Sequence, residues 1–268
     1  MPSVVKPADD PAHRLYVRER ALTAHVSERL LDAAGVDVGA RVLDVACGRG
    51  EPALRAARRV GSTGRVVAVD VDPVAVRVCA AHASAQGLVH VDVRTCAAAA
   101  VDVDLGVFDV VTCRFGLMYV ATPVVALQRM RRVLAPGGRI AAALWGPREE
   151  IAWWRVPRDV TERFARLPPA DAGGPWAGRY GDFDAFARDA AAAGLVVGAV
   201  ERVATDIVRG AVDDVVAWVE HVFGAWVSLV PDQRRAAWRS ALVDALGGHR
   251  EGDEVVLGGV TTIVLLRR

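Results

Sequence analysis

Asp44, Gly48, Gly50 and Asp70 are the residues whose types and spacing can do chemistry together. The two glycines follow an apolar run at 41–46 and precede a helical pattern, so they occupy a strand-to-helix turn. Glycine lets such a turn bend sharply and lets a ligand approach the backbone. The order Gly48-x-Gly50-x-x-Ala53 also fits a dinucleotide fingerprint, and glycine pairs are common at turns, so it does not choose the ligand alone. The acids narrow the choice. Asp70 closes the next apolar run 20 residues after Gly50, the distance at which a carboxylate takes both hydroxyls of an adenosine ribose. Asp44 stands four residues before Gly48. A pyrophosphate there would meet like charge, whereas a ligand with an ammonium and a sulfonium would meet opposite charge. Each acid also has a structural alternative: Asp44 bonding amides of its own loop, Asp70 capping the helix that follows.

These residues need a sheet to hold them. Apolar runs at 41–46, 66–69, 90–95, 107–113, 139–145, 195–208 and 254–266 are expected strands, the last interrupted at Gly258-Gly259. Helical spacing covers 11–34, 51–60, 73–85, 122–134, 151–167, a stretch from Asp182 or Asp184 to 193, 212–230 and 232–246. Pro136 and Gly137 suit the centre of a type II turn. Continuous rather than alternating apolar strands indicate a parallel sheet covered on both faces, an α/β architecture. Asp109 reads as support for its strand or turn rather than as chemistry.

Composition excludes several classes. The chain has 268 residues, 53% hydrophobic, with formal net charge +1 and one lysine, Lys6. That balance gives no basic face for a nucleic-acid partner. The four cysteines form no CxxC pair and no metal spacing with histidine, so no metal is expected. No run reaches the roughly 18 apolar residues of a membrane span, and residues 1–10 lack the apolar core of a leader, so cytoplasmic localisation is expected. Nothing in the sequence bears on oligomeric state.

Leu43-Asp-Val-Ala-Cys-Gly-Arg-Gly50, Val69-Asp-Val-Asp-Pro73, Phe108-Asp-Val-Val111 and Arg132-Val-Leu-Ala-Pro-Gly-Gly-Arg139 together resemble the successive motifs of class I S-adenosylmethionine-dependent methyltransferases. The flavour is that of the ubiquinone/menaquinone-biosynthesis-like group and its natural-product relatives. Cys113–Tyr119 is similar to the segment after the fourth strand in that group, and the likeness covers roughly residues 38–145. It implies a Rossmann-like, seven-stranded, mostly parallel sheet with the last strand antiparallel. A tail and helical cap at 1–36 would precede a methyltransferase domain at 37–268 carrying lid-like helical insertions at about 147–181 and 211–250. It implies S-adenosylmethionine as cofactor, with Ala46, Gly48 and Gly50 against the methionine part by backbone and Asp44 orienting the amino group. Asp70 would take the ribose, Val71 would pack on adenine, and Cys113 would border the cofactor. Where the group often has an acid reading the adenine amine, this chain has Ala97, which leaves the Ala98 amide for that contact.

Ligands sit outside the carboxyl ends of the strands in such sheets. The substrate pocket is therefore expected among Tyr16, Arg114, Phe115, Met118, Trp145, Trp154, Trp176 and Trp218. All seven tryptophans lie at or after residue 145, an aromatic cover suited to an apolar or aromatic small molecule. Trp218, Val222 and Trp226 share one helical face by spacing and are equally read as core. His25 and His221 are the candidate bases, and Arg114 could hold an anionic group of the acceptor. Cys113-Arg-Phe-Gly116 differs from the (Asp/Asn/Ser)-Pro-Pro-aromatic segment of enzymes that methylate base amines in DNA. The function expected is methyl transfer to O, N or C of a small molecule, in secondary-metabolite or quinone-like biosynthesis. Two alternatives stay open: a cyclase or isomerase that binds S-adenosylmethionine without transferring methyl, and an NAD-dependent oxidoreductase.

Overall fold

A computed structural model describes residues 19–169 and 178–268. Helix α1 (Ala24–Ala33) precedes β1 (Arg41–Val45), α2 (Ala53–Val60), β2 (Arg65–Asp70), α3 (Pro73–Ala85) and β3 (Val91–Thr95). Then come β4 (Phe108–Arg114), α4 (Pro123–Arg132), β5 (Leu134–Trp145), α5 (Ala152–Glu162), α6 (Phe183–Ala192) and β6 (Val196–Gly210). Helix α7 (Val212–Val222), a single turn at Gly224–Val227, α8 (Arg235–Leu246), β7 (Arg250–Glu251) and β8 (Glu254–Arg267) complete the chain.

The sheet order is β3-β2-β1-β4-β5-β8-β6. Strands β1 to β5 pair in parallel, and β8 runs antiparallel to both β5 and β6. The expected α/β fold with an antiparallel last strand is present. The count differs by the two-residue β7, which hairpins onto β8 and makes the sheet eight-stranded. The central strands are apolar on both sides because both faces are covered. Val42, Val66 and Ala68 pack with α1, α2 and α3 through Leu30, Leu54 and Cys79. Leu43, Val67 and Val111 face the other core, built with Leu127 and Met130 of α4 and with α5 to α8.

Three local expectations change. Residues 135–138 do not form a free turn between α4 and β5. Leu134 already pairs with Phe108, and Arg139 with Val110, so the Pro-Gly-Gly segment is an irregularity inside β5, with Gly137 at φ +76°. Gly258 and Gly259 do not interrupt β8. A Cβ on Gly258 would lie 2.5 Å from Thr205 O, and one on Gly259 2.9 Å from Ile151 Cγ2, so these glycines admit close neighbours within a continuous strand. The helix expected over 212–230 breaks at Phe223, which leaves Val222 exposed while Trp218 is buried. Asp182, one of the two proposed caps, accepts the Asp184 N–H at 3.0 Å and begins α6.

Asp109 has the structural role expected of it. Its carboxylate takes the Arg41 backbone N–H at 2.9 Å and the Arg41 guanidinium at 2.7 and 3.1 Å, which ties β4 to the start of β1 and holds the Asp109 carboxyl below the usual range. Both partners are exposed, so the pair contributes little. Asp109→Asn is expected to cost no more than about 1 kcal/mol. A chemical denaturation midpoint within error of wild type or slightly lower is the expected reading.

Candidate active site

The loop after β1 is held open from below by a buried acid. Asp44, two residues after Val42 in β1, shares its face and so faces α2, beneath the first turn of that helix. It is 0% exposed, its Oδ2 accepts the Ala53 N–H at 3.1 Å, and its Oδ1 accepts the Thr112 hydroxyl at 2.8 Å. Ala53 begins α2, and its amide has no partner within the helix, so Asp44 caps the helix from a neighbouring strand. Desolvation dominates this carboxyl and pushes its pKa up to about 7, against the lowering effects of the Thr112 hydrogen bond and the Arg114 charge. The loop turns through Ala46 (φ +59°), Gly48 (φ +52°) and Gly50 (φ +113°). A Cβ on Gly50 would sit 2.6 Å from Leu54 Cδ1.

Asp70 fastens this loop to the next. Its Oδ2 accepts the Gly48 N–H at 2.8 Å and its Oδ1 the Asp72 N–H at 2.9 Å, while Asp72, not Asp70, caps α3 through Val74 N–H. The carboxylate still borders a cavity of about 470 Å³ at the carboxyl ends of β1, β2 and β4. Its other walls are Ala46, Val71, Cys96, Ala97, Ala98 and Ala99 on one side, and Arg114, Phe115, Gly116, Tyr119 and residues 120–122 on the other. A Cβ on Gly116 would fall 2.4 Å from Ala46 Cβ, so glycine there lets the loop after β4 close against the loop after β1. Phe115 has φ +58°, a left-handed conformation that costs a non-glycine residue roughly 1–2 kcal/mol, and such strain gathers at functional sites.

Of the residues expected at the cofactor, Ala46, Asp70, Val71, Ala97 and Ala98 line this cavity. Asp44, Gly50 and Cys113 are buried behind its walls and Gly48 is half-buried beside it; none of the four lines it, and Cys113 is a fully buried thiol whose pKa burial pushes up to about 12.

A second, smaller cavity of about 180 Å³ shares Arg114, Phe115 and Tyr119 with the first. Glu19, Thr23, Trp145, Trp153, Ile207, Trp218 and Val222 complete its lining. Its aromatic wall is continuous. Phe115 stacks on Trp145 with centroids 4.5 Å apart and planes 4° apart, Trp145 meets Trp153 at 5.4 Å, and Phe223 touches both Trp153 (6.2 Å) and Trp218 (5.8 Å). Arg114 is braced by Thr23, donating to its hydroxyl at 3.0 Å and its carbonyl at 3.3 Å.

The expected substrate residues divide accordingly. Arg114, Phe115, Trp145 and Trp218 line the second cavity. Met118 is buried behind it, its sulfur accepting the Trp145 backbone N–H at 3.2 Å. Trp154 turns away, edge-on to Trp226 at 5.8 Å and beneath the guanidinium groups of Arg148 and Arg158. Tyr16 and Trp176 lie outside the described residues. Neither candidate histidine borders either cavity. His25 is exposed with Nε2 3.0 Å from Ala204 O, and His221 is exposed on α7. Among the described residues, no group of three or more His, Cys, Asp or Glu could hold a metal, and no helix is long and apolar enough to cross a membrane.

Sequence reasoning missed Glu19, Thr23 and Ile207. A signal for the first two was present. Stepping back from Leu30 and Val26 by helical spacing reaches Thr23 and then Glu19, which puts a carboxylate on the apolar stripe. Burial raises the Glu19 carboxyl above its usual range, with the charges of Arg114 and Arg49 opposing that rise.

Comparison with known proteins identifies the family. Residues 42–138 match a family described as a methyltransferase domain. The chain is 32% identical over 241 residues to nocamycin O-methyltransferase of Saccharothrix syringae, covering 86% of each chain. It is 38% identical over 129 residues to the ubiquinone/menaquinone biosynthesis C-methyltransferase of Hydrogenovibrio crunogenus, covering 48% of this chain and 47% of that one. Among solved structures it is similar to the 4+2 cyclase SpnF, with TM-score 0.56 and 21% identity over 91% of this chain and 80% of that one, a likeness of fold. The chain belongs to the class I S-adenosylmethionine-dependent methyltransferases. It is an enzyme of that class, its cofactor is S-adenosylmethionine, and the dinucleotide alternative is set aside.

Proposed function

We propose that this enzyme methylates a flat, largely apolar small molecule that enters the 180 Å³ cavity, with S-adenosylmethionine in the adjoining 470 Å³ cavity. The observation that carries the reading is the pair of cavities meeting at Arg114, Phe115 and Tyr119. The larger one falls within the usual range of ligand sites, roughly 300–1,000 Å³. Its residues suit the cofactor. Asp70 has acceptor capacity left for the ribose hydroxyls beyond its two backbone bonds. Val71, Cys96, Ala97 and Ala98 offer an apolar slot with backbone amides for adenine. Ala46 and Gly116 give the methionine part a narrow, backbone-lined passage, and Asp44 lies below it as a source of negative potential.

When bound, the cofactor supplies a methyl carbon already activated by its sulfonium. The chain's own task is then alignment and exclusion of water, which can account for much of the rate gain in a two-reactant displacement. Phe115, fixed by Trp145, gives the shared wall one orientation. Trp153 and Trp218 close the acceptor side, so the nucleophile is presented from a dry, aromatic surface. The natural-product names carried by relatives, nocamycin O-methyltransferase among them, support an acceptor of secondary metabolism. The segments around α5 and around α7 and α8 carry several of these aromatics, and we assign them the role of a lid over a catalytic domain that begins near residue 37.

Asp70→Ala tests the cofactor half. The variant is expected to fold, with S-adenosylmethionine binding weaker by about 1.5–3 kcal/mol, as for a lost charge-assisted hydrogen bond. Isothermal calorimetry reads it, and unchanged affinity would remove Asp70 from the site.

A further inference from the structure

Glu19 is the one acidic group lining the second cavity, and nothing in methyl transfer as described so far uses it. Its carboxylate makes no hydrogen bond or ion pair to any other described residue. Its backbone carbonyl accepts the Thr23 amide and hydroxyl, both at 3.0 Å. A carboxylate held against an aromatic wall without a hydrogen-bond donor is costly, because it gives up water and is offset only by the nearby charges of Arg114 and Arg49. Structural acids in this chain are treated differently: Asp44 has two donors, Asp109 a bidentate arginine, and Glu51 both Arg20 and Arg55. Arg114 lies on the same cavity wall but is oriented by Thr23 and opposes Glu19 only through its charge.

We propose that Glu19 is the proton acceptor for a hydroxyl nucleophile, and that the acceptor class is a planar hydroxy-aromatic or enol whose ring lies against Trp145, Trp153 and Trp218. This rests on the assignment of the two cavities made above. In the step, the acceptor oxygen forms a bond to the methyl carbon while the carbon–sulfur bond breaks. The electron pair of that bond stays on sulfur, giving neutral S-adenosylhomocysteine, and the hydroxyl proton passes to the Glu19 carboxylate. The carboxylate replaces the water that would otherwise accept this proton, and its raised proton affinity suits it to that task. The protonated Glu19 releases its proton to solvent when the product leaves.

The test uses two probes that differ in one hydroxyl, 2-naphthol and 2-methoxynaphthalene, added to the protein saturated with S-adenosylhomocysteine. Quenching of tryptophan fluorescence reports occupation, since three tryptophans line the chamber. Wild type is expected to bind 2-naphthol at least tenfold more tightly than its methyl ether. In Glu19→Leu and in the isosteric Glu19→Gln that preference is expected to fall below threefold in the first and to an intermediate value in the second, with S-adenosylhomocysteine affinity unchanged in both. A preference retained in both variants overturns the inference, and so does failure of either naphthalene to bind while S-adenosylhomocysteine binds. Failure of S-adenosylhomocysteine itself to bind wild type strikes instead at the cavity assignment.

Discussion

Asp44→Asn is expected to stabilise the cofactor-free protein at pH 8 and to weaken S-adenosylmethionine binding about tenfold or more at the same pH. The first half follows from burial. The native carboxyl has its pKa raised to about 7 from an ordinary 3.8. The folded state therefore binds a proton that the unfolded chain gives up, and the contribution of this group to stability is complete below about pH 3.8 and is lost as pH rises through 7. The slope from this one group approaches about 1.4 kcal/mol per pH unit between those limits. Asparagine imitates the protonated acid: its oxygen can take the Ala53 amide and its amine can donate to the Thr112 oxygen. The variant should match wild type only below about pH 3.8, exceed its stability by a margin that grows as pH rises to 7, and unfold at a higher temperature at pH 8. The second half follows from charge. A cationic cofactor favours the ionised carboxylate, so binding to wild type should release a proton near neutrality and tighten as pH rises through 7, whereas binding to the variant should not. Calorimetry in buffers of different ionisation enthalpy measures that proton directly. Equal proton release by both proteins would show that Asp44 does not sense the cofactor.

Gly50→Ala is expected to damage the fold as well as the site. At φ +113° an L side chain is strained by about 1–3 kcal/mol, and its Cβ would stand 2.6 Å from Leu54 Cδ1 and 2.8 Å from Leu54 Cγ. Leu54 is completely buried in the core under β1 and β2, so it has little room to retreat. Adding the overpacking penalty gives a loss of about 3 kcal/mol, or a melting temperature roughly 6–12 °C lower for a chain of this size. Gly48 makes the contrast. A Cβ there would meet nothing within 4 Å, so Gly48→Ala carries only the strain of φ +52°. Differential scanning calorimetry of both variants separates crowding from strain, and equal losses would exclude the Leu54 contact as the cause.

The parts of the fold read correctly from the sequence are those specified locally. An apolar strand, a glycine turn and a capped helix recur through residues 41–145, and each signal lies within a few residues of what it predicts. Asp109 was recognisable as structural because it stands at the start of a strand rather than at its carboxyl end. The remainder depends on docking. Trp153 and Trp154 are adjacent and point about 100° apart on one helix, so only the seating of α5 against β8 and α8 decides which one meets the chamber. Glu19 is not legible locally because its meaning comes from cavity walls supplied by β6 and α7, about 190 to 200 residues later in the chain. His25 and His221 line neither cavity; residue type alone carries no information on burial or convergence.

Phe115 belongs to both chambers, and that divides the wall residues into two kinds. Under the cavity assignment proposed above, a change at position 115 alters what the cofactor touches and what the acceptor touches in a single stroke, so its effects on the two affinities should travel together. Trp153, Ile207 and Trp218 line only the smaller of the two cavities. New acceptor preferences, whether reached by natural drift or by directed selection, should therefore accumulate at those three positions and leave the aromatic partition as it stands.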